Sequence, residues 1–146
     1  MTKDVLVTIA GLQFEIDSEE PIEVITTGQY FLKNEKHYIL YDEILDDTKE
    51  VCKNRIKIGK DSVEILKSGA SNVHMVFETN KKNLTYYNTP FGSLLIGIDT
   101  TKIACKEKEE EIELYIEYGL EVNYSHVSDC KITVRIAAKK EINAEI

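Results

Sequence analysis

From Glu111 onward the chain alternates without a break. Ile112, Leu114, Ile116, Tyr118, Leu120, Val122 and Tyr124 fall on one face. Glu111, Glu113, Glu117, Glu121 and Asn123 fall on the other, with Tyr115 and Gly119 between them. Period two is the spacing of a β-strand, because successive side chains point to opposite faces of a sheet. Gly119 sits mid-run, where a strand can bend, bulge or turn a barrel corner. The next segment repeats the pattern, with Ile132, Val134 and Ile136 alternating with Lys131, Thr133 and Arg135.

Shorter runs of the same kind fill the rest of the chain. Val5, Val7 and Ile9 alternate with polar or outward neighbours, as do Val73, Met75 and Phe77, and Leu94, Ile96 and Ile98. Ile22–Leu32, His37–Leu45, Val51–Ile58, Ser62–Leu66 and Asn83–Tyr87 are rich in the Ile, Val, Thr and Tyr that strands favour. Turn formers separate them at short intervals, at Asn34-Glu35, Gly59-Lys60-Asp61, Ser68–Ser71 and Asn80–Asn83. The one helical candidate is Tyr41–Glu50, whose Asp42, Glu43, Asp46 and Asp47 read as readily as a loop.

At ~150 residues per domain, 146 residues predict one domain over 1–146. So many antiparallel strands in one meander would leave a strongly twisted sheet with free edges. Closure into a barrel, or two packed layers, removes them. The fold class expected is therefore all-β, a single closed or nearly closed antiparallel β-barrel of ~8–10 strands.

Charge and cysteine content narrow the partners. Lys and Arg number 18 against 26 Asp and Glu, for a net charge of −8. An acidic surface repels phosphate backbones and anionic lipid, so neither nucleic acid nor a membrane is an expected partner. Asp4 and Thr8 interrupt the only apolar run near the start, so no secretory signal is read there. Cys52, Cys105 and Cys130 are odd in number and widely spaced, which suits reduced thiols in a cytoplasmic protein rather than disulfides or a zinc knuckle.

The most distinctive segment is Tyr87-Asn88-Thr89-Pro90-Phe91-Gly92-Ser93-Leu94-Leu95-Ile96, with Thr100 and Thr101 shortly after. Pro90 fixes its own φ and pushes Thr89 toward an extended conformation, and Gly92 can take positive φ. Thr89–Gly92 then reads as a tight connection between two strands. Together with Lys67, Gly69, Met75, Phe77 and Tyr41-x-Glu43, this segment resembles a small family of uncharacterised bacterial proteins, the YwiB-like family. The resemblance covers essentially the whole chain and implies a calycin-like (lipocalin-like) β-barrel with no assigned activity. One position departs, since an arginine is expected where this chain has Lys67, and a lysine cannot make a planar bidentate contact.

Local motifs for chemistry are missing from the sequence. His37, His74 and His126 lie in three separate segments, with no nucleophile elbow and no His-Glu-x-x-His. The seven glycines are scattered, which excludes a phosphate-cradling loop. The acidic stretch from Asp42 to Asp47 lacks the order of a calcium loop. Arg135 alternates with Ile132, Val134 and Ile136 and is expected to point outward. No cofactor and no metal are expected.

The aromatic set is lopsided, with eight tyrosines and no tryptophan. Lipocalins begin with Gly-x-Trp, so a lipid function does not follow from a lipocalin-like fold. Tyr86 and Tyr87 are adjacent and must face opposite ways, while Tyr118 and Tyr124 are placed by alternation on the apolar face. Inward tyrosines either pack a barrel or line a cavity for a small ligand. The function expected is a non-enzymatic cytoplasmic barrel that binds a small, mainly apolar ligand in its interior or at its mouth. Tyr86, Tyr87, Phe91, Tyr118 and Tyr124 are the ligand-binding candidates. The alternative is a solid structural barrel that acts through its surface with a protein partner.

Overall fold

The computed structural model describes residues 3–11, 23–44, 51–69, 72–89 and 92–139. Those residues form ten strands: β1 (Asp4–Ala10), β2 (Glu23–Lys33), β3 (Lys36–Ile44), β4 (Val51–Ile58), β5 (Ser62–Ser68), β6 (Val73–Glu78), β7 (Lys81–Thr89), β8 (Gly92–Lys108), β9 (Glu111–Val122) and β10 (Ser125–Ala138). All pair antiparallel in one sheet, in the order β6-β5-β4-β3-β2-β1-β10-β9-β8-β7. Among the described residues there is no helix, and none is therefore long and apolar enough to cross a membrane. The helical candidate Tyr41–Glu50 starts as the end of β3, and its residues 45–50 lie outside the described residues.

The order explains the shape. Every neighbour in the sheet is a neighbour in sequence except β1 and β10, which bring the two ends of the chain together. The outermost strands, β6 and β7, are consecutive in sequence, and β6 lies against both β7 and β8. The Asn80 N–H in the turn between them donates to the Thr100 carbonyl at 2.9 Å. The Phe77 ring on β6 meets the Tyr118 ring on β9 edge-on, 5.1 Å between centroids. The sheet thus curls until its edges meet, a nearly closed barrel, and the exposed edges of an open sheet are largely removed.

One face of β1, β9 and β10 supplies much of the core. Val5, Val7 and Ile9 of β1, Ile112, Leu114, Ile116 and Tyr118 of β9, and Ile132, Val134 and Ile136 of β10 are all buried, in strict alternation with exposed or half-buried neighbours. The same face of β4, β5 and β6 adds Ile56, Ile58, Val63, Ile65, Met75 and Phe77. Fully burying each such side chain stabilises by about 1.5–3 kcal/mol. Arg135 points outward as expected and forks onto Glu111 at 2.7 and 3.0 Å.

The structure departs from the alternation reading at two strands. β8 runs on to Lys108, well past Ile98, because its register slips between Thr100 and Lys102. Before the slip Ile98 and Thr100 are buried inward; after it Ile103, Cys105 and Glu107 pair with the inward Ile116, Leu114 and Ile112. A one-residue bulge inverts the phase, so a period-two reading loses the strand there. Similarly, the run through Tyr124 is broken. β9 stops at Val122, and Asn123 and Tyr124 form the turn to β10 with φ of 49° and 70°. A second bulge falls between His126 and Ser128. The two bulges therefore flank β9 near Gly119 instead of lying on it, since Gly119 pairs Asp99 on one side and Asp129 on the other.

At the end of the barrel that holds the β2–β3 turn, three side chains tie distant strands together. The Tyr30 hydroxyl lies 2.5 Å from His37 Nδ1, and His37 Nε2 lies 2.7 Å from Glu107 Oε1 on β8. A carboxylate only accepts, so Nε2 carries the proton, and in the neutral ring Nδ1 accepts from the tyrosine hydroxyl.

Thr100 and Tyr118 are cross-strand partners in the core, and both hydroxyls are buried without an aligned hydrogen-bond partner. A buried, unpaired hydroxyl costs free energy that a methyl does not. Thr100→Val is therefore expected to raise stability by about 1 kcal/mol in urea unfolding. A loss of similar size would show that the hydroxyl is satisfied in solution.

Candidate functional site

Besides the seam between the edge strands β6 and β7, the pairing of the wall stops short between β2 and β3 among the described residues. β2 and β3 pair only from Gln29 with Leu40 to Lys33 with Lys36. Beyond that point β2 stays with β1 as far as Glu23, and β3 continues with β4 as far as Ile44. The two strands part like the arms of a fork. At its crotch a Cβ on Gly28 would sit 2.8 Å from the Leu40 carbonyl oxygen and 3.1 Å from Val7 Cγ2. Only glycine lets the backbones approach this closely before they separate.

The fork opens a cleft of about 560 Å³, within the range of small-molecule sites. Inward residues (Thr26, Gly28, Tyr41, Asn54) and outward residues (Thr27, Gln29, Leu40, Asp42, Lys53) of the same strands line it together. Alternation puts these on opposite faces of a sheet, so a space touched by both passes through the wall. Asp4 and Lys139 complete the lining.

The floor is polar. Asn54 is 3% and Tyr41 4% exposed, on a face that is mainly aliphatic. They are cross-strand partners, and Asn54 is in turn partnered with Lys67 on β5. Asn54 Nδ2 donates to the Cys52 carbonyl at 3.2 Å. Lys67 Nζ meets Glu43 Oε1 at 3.4 Å, with side chains 12% and 24% exposed. Burial, and then the Glu43 carboxylate and the Cys52 thiol, hold the Tyr41 hydroxyl far above its ordinary pKa of 10.0. Tyr41 and Glu43 on β3 thus form one inward polar row with Asn54 and with Lys67, which the sequence places far from them. A lysine–carboxylate contact stands where the family resemblance called for an arginine.

Of the five expected tyrosine and phenylalanine candidates, the four that lie among the described residues do not assemble. Tyr86 faces outward and is 66% exposed, while Tyr87 is partly buried against the core. Tyr118 lies 2% exposed in the centre of the barrel. Tyr124 is not on the apolar face at all: it is 76% exposed in the β9–β10 turn. Phe91, with Pro90, lies outside the described residues. Gly92 beside them has φ of 124°, as the tight connection requires, and Thr89 pairs with Gly92. Asn54 was missed, although Val51–Ile58 carries its signal, for Asn54 is the one amide on the face of Cys52, Ile56 and Ile58.

Free thiols occur at all three cysteines, with Cys52 and Cys130 buried and Cys105 exposed. Burial and the Glu107 carboxylate push the Cys105 thiol up, away from reactivity. Among the described residues no three His, Cys, Asp or Glu side chains could hold a metal ion together.

A ten-stranded, nearly closed antiparallel barrel with a filled centre and a split wall defines the class. The chain belongs to the domain of unknown function family DUF1934, whose model matches residues 7–134. It is similar to the uncharacterised beta-barrel protein YwiB of Bacillus subtilis (strain 168), 30% identical over 118 residues that cover 80% of this chain and 82% of that protein. The crystal structure of the ywiB protein from Bacillus subtilis superposes with a TM-score of 0.72 at 25% identity, over 94% of this chain and 91% of that one.

The buried floor has a consequence for stability against pH. Tyr41 and Tyr118 are both held neutral by burial, with folded pKa values above the ordinary 10.0. Their contribution is complete below that value and is lost as pH rises through it, because the unfolded chain releases protons that the fold retains. Each such group steepens the loss by up to about 1.4 kcal/mol per pH unit. Urea unfolding at about pH 9 and pH 11 should show a shallower loss for Tyr41→Phe than for the unaltered chain. Equal losses would place the Tyr41 hydroxyl in water.

Proposed function

We propose that this protein is a non-enzymatic, cytoplasmic binding barrel whose ligand is a small molecule held in the β2–β3 wall cleft. The observation that carries the reading is the pairing of an open cleft of about 560 Å³ with a floor of deeply buried Tyr41 and Asn54. Buried polar groups cost stability unless they are used, and these two lie where a ligand could reach them.

The filled centre moves the ligand from the interior to the wall. Ile39, Ile56, Ile65, Phe77, Ile98, Ile116 and Ile132, all essentially inaccessible, occupy the space that an apolar ligand inside the barrel would need. Asp4 and Asp42 with Lys53 and Lys139 supply two charges of each sign at the cleft. A ligand that carries polar or zwitterionic groups on a compact body matches that lining better than a wholly apolar one. Three free thiols support the cytoplasmic assignment.

Native mass spectrometry tests this. The full chain, incubated with the small-molecule fraction of a bacterial extract, should retain an added mass that is lost on denaturation. Asn54→Leu should lose at least about tenfold in occupancy while keeping its fold by circular dichroism. A bare mass for the unaltered chain, or an adduct kept by Asn54→Leu, would contradict the cleft. It would turn attention to a protein partner and the outer face of β7, where Leu84 and Tyr86 stand 52% and 66% exposed.

A further inference from the structure

The chain has two arginines, and their surroundings differ completely. Arg135 forks onto Glu111 in open solvent. Arg55, on the outer face of β4, has its Nε buried with no acceptor. Its cross-strand neighbours are Leu40 on β3 and Leu66 on β5, both apolar. A guanidinium N–H that is out of water and unpaired costs free energy in the isolated protein.

The ground around it is a concavity of about 660 Å³, lined by Phe31, Leu32, Lys33, Tyr38, Leu40 and Arg55. Phe31 and Tyr38 are cross-strand partners, and each carries a lysine over its ring, Lys3 Nζ at 5.4 Å and Lys57 Nζ at 5.7 Å. Phe31 and Leu40 are each 38% exposed and Leu32 64%. Four cations therefore gather about an apolar floor on a chain whose net charge is −8. Lys57 shares its charge with Glu64 at 3.4 Å.

From these observations we infer a second binding site, for a small organic carboxylate with an apolar body. The carboxylate accepts from the Arg55 guanidinium, the bidentate geometry in which arginine excels. The apolar body covers Phe31 and Leu40, and the flanking lysines add long-range attraction. A polyphosphate chain is disfavoured by the overall negative charge, and the concavity has the volume of one small molecule. The site is separate from the wall cleft. Arg55 and Asn54 are consecutive on β4 and face opposite sides of the wall, although Leu40 borders both spaces.

The probe is 2-naphthoate, titrated into the ¹⁵N-labelled full chain and followed by amide shifts. Naphthalene-2-carboxamide supplies the same ring without the charge. Saturable shifts are expected around Phe31, Tyr38, Leu40 and Arg55, with the carboxamide roughly tenfold weaker. Arg55→Gln should weaken naphthoate roughly tenfold and leave the carboxamide unchanged. Asn54→Leu should leave both unchanged, which separates this site from the cleft. Equal binding of the two probes to the unaltered chain would overturn the proposal, whatever the variants do. So would no shift at ~5 mM naphthoate, shifts confined to the β2–β3 fork, or full binding by Arg55→Gln.

Discussion

Everything in this structure depends on one alternating apolar face wrapped round a sheet whose edges meet. The inward Ile, Val, Leu and Phe side chains have no other sheet or helix among the described residues to pack against. They bury one another only because the sheet curls until β6 lies against β7 and β8. Curvature, closure and core are therefore one constraint. The two bulges, at Thr100/Lys102 and His126/Ser128, lie on the strands flanking β9 and bend the wall where the longest strands must turn.

The same constraint limits where a ligand could lie. A barrel whose centre is filled by its own side chains has room for a ligand only at its ends or through its wall. Here the wall parts where the ladder between β2 and β3 stops at Gln29 and Leu40. The inward row at that end is also where the aliphatic pattern gives way to Tyr41, Glu43, Asn54 and Lys67. Polar groups in the row and missing pairing in the wall are independent features of the sequence and the backbone. Their coincidence is what singles out the cleft as the candidate site.

Most of the barrel was legible in the sequence because period-two alternation reports directly on one buried face. Val51–Ile58 matches β4 residue for residue, and the family resemblance carried by Tyr87–Ile96 led to the right fold. What failed has a physical cause in each case. The bulge in β8 inverted the phase and concealed Asp99–Lys108 as strand. Tyr124 continued the alternation by position while its backbone had already turned to φ of 70°. The site was legible only in part. Tyr41, Glu43 and Lys67 were noticed as family positions, but three strands must pair in register before they meet. The fork itself is a β2–β3 pairing that is absent among the described residues, and no local pattern announces an absence.

Amide hydrogen exchange of the full chain, read residue by residue, tests the split wall most directly. In an antiparallel strand alternate residues direct their hydrogen bonds to alternate neighbours. A strand paired on one side only should therefore protect every second amide. This two-residue rhythm, slow then fast, is expected along both arms of the fork, residues 23–28 and 41–44, with β9 and the middle of β10 protected throughout. Continuous protection along both arms would mean that β2 and β3 close the wall in solution, and the cleft and the function assigned to it would fall together.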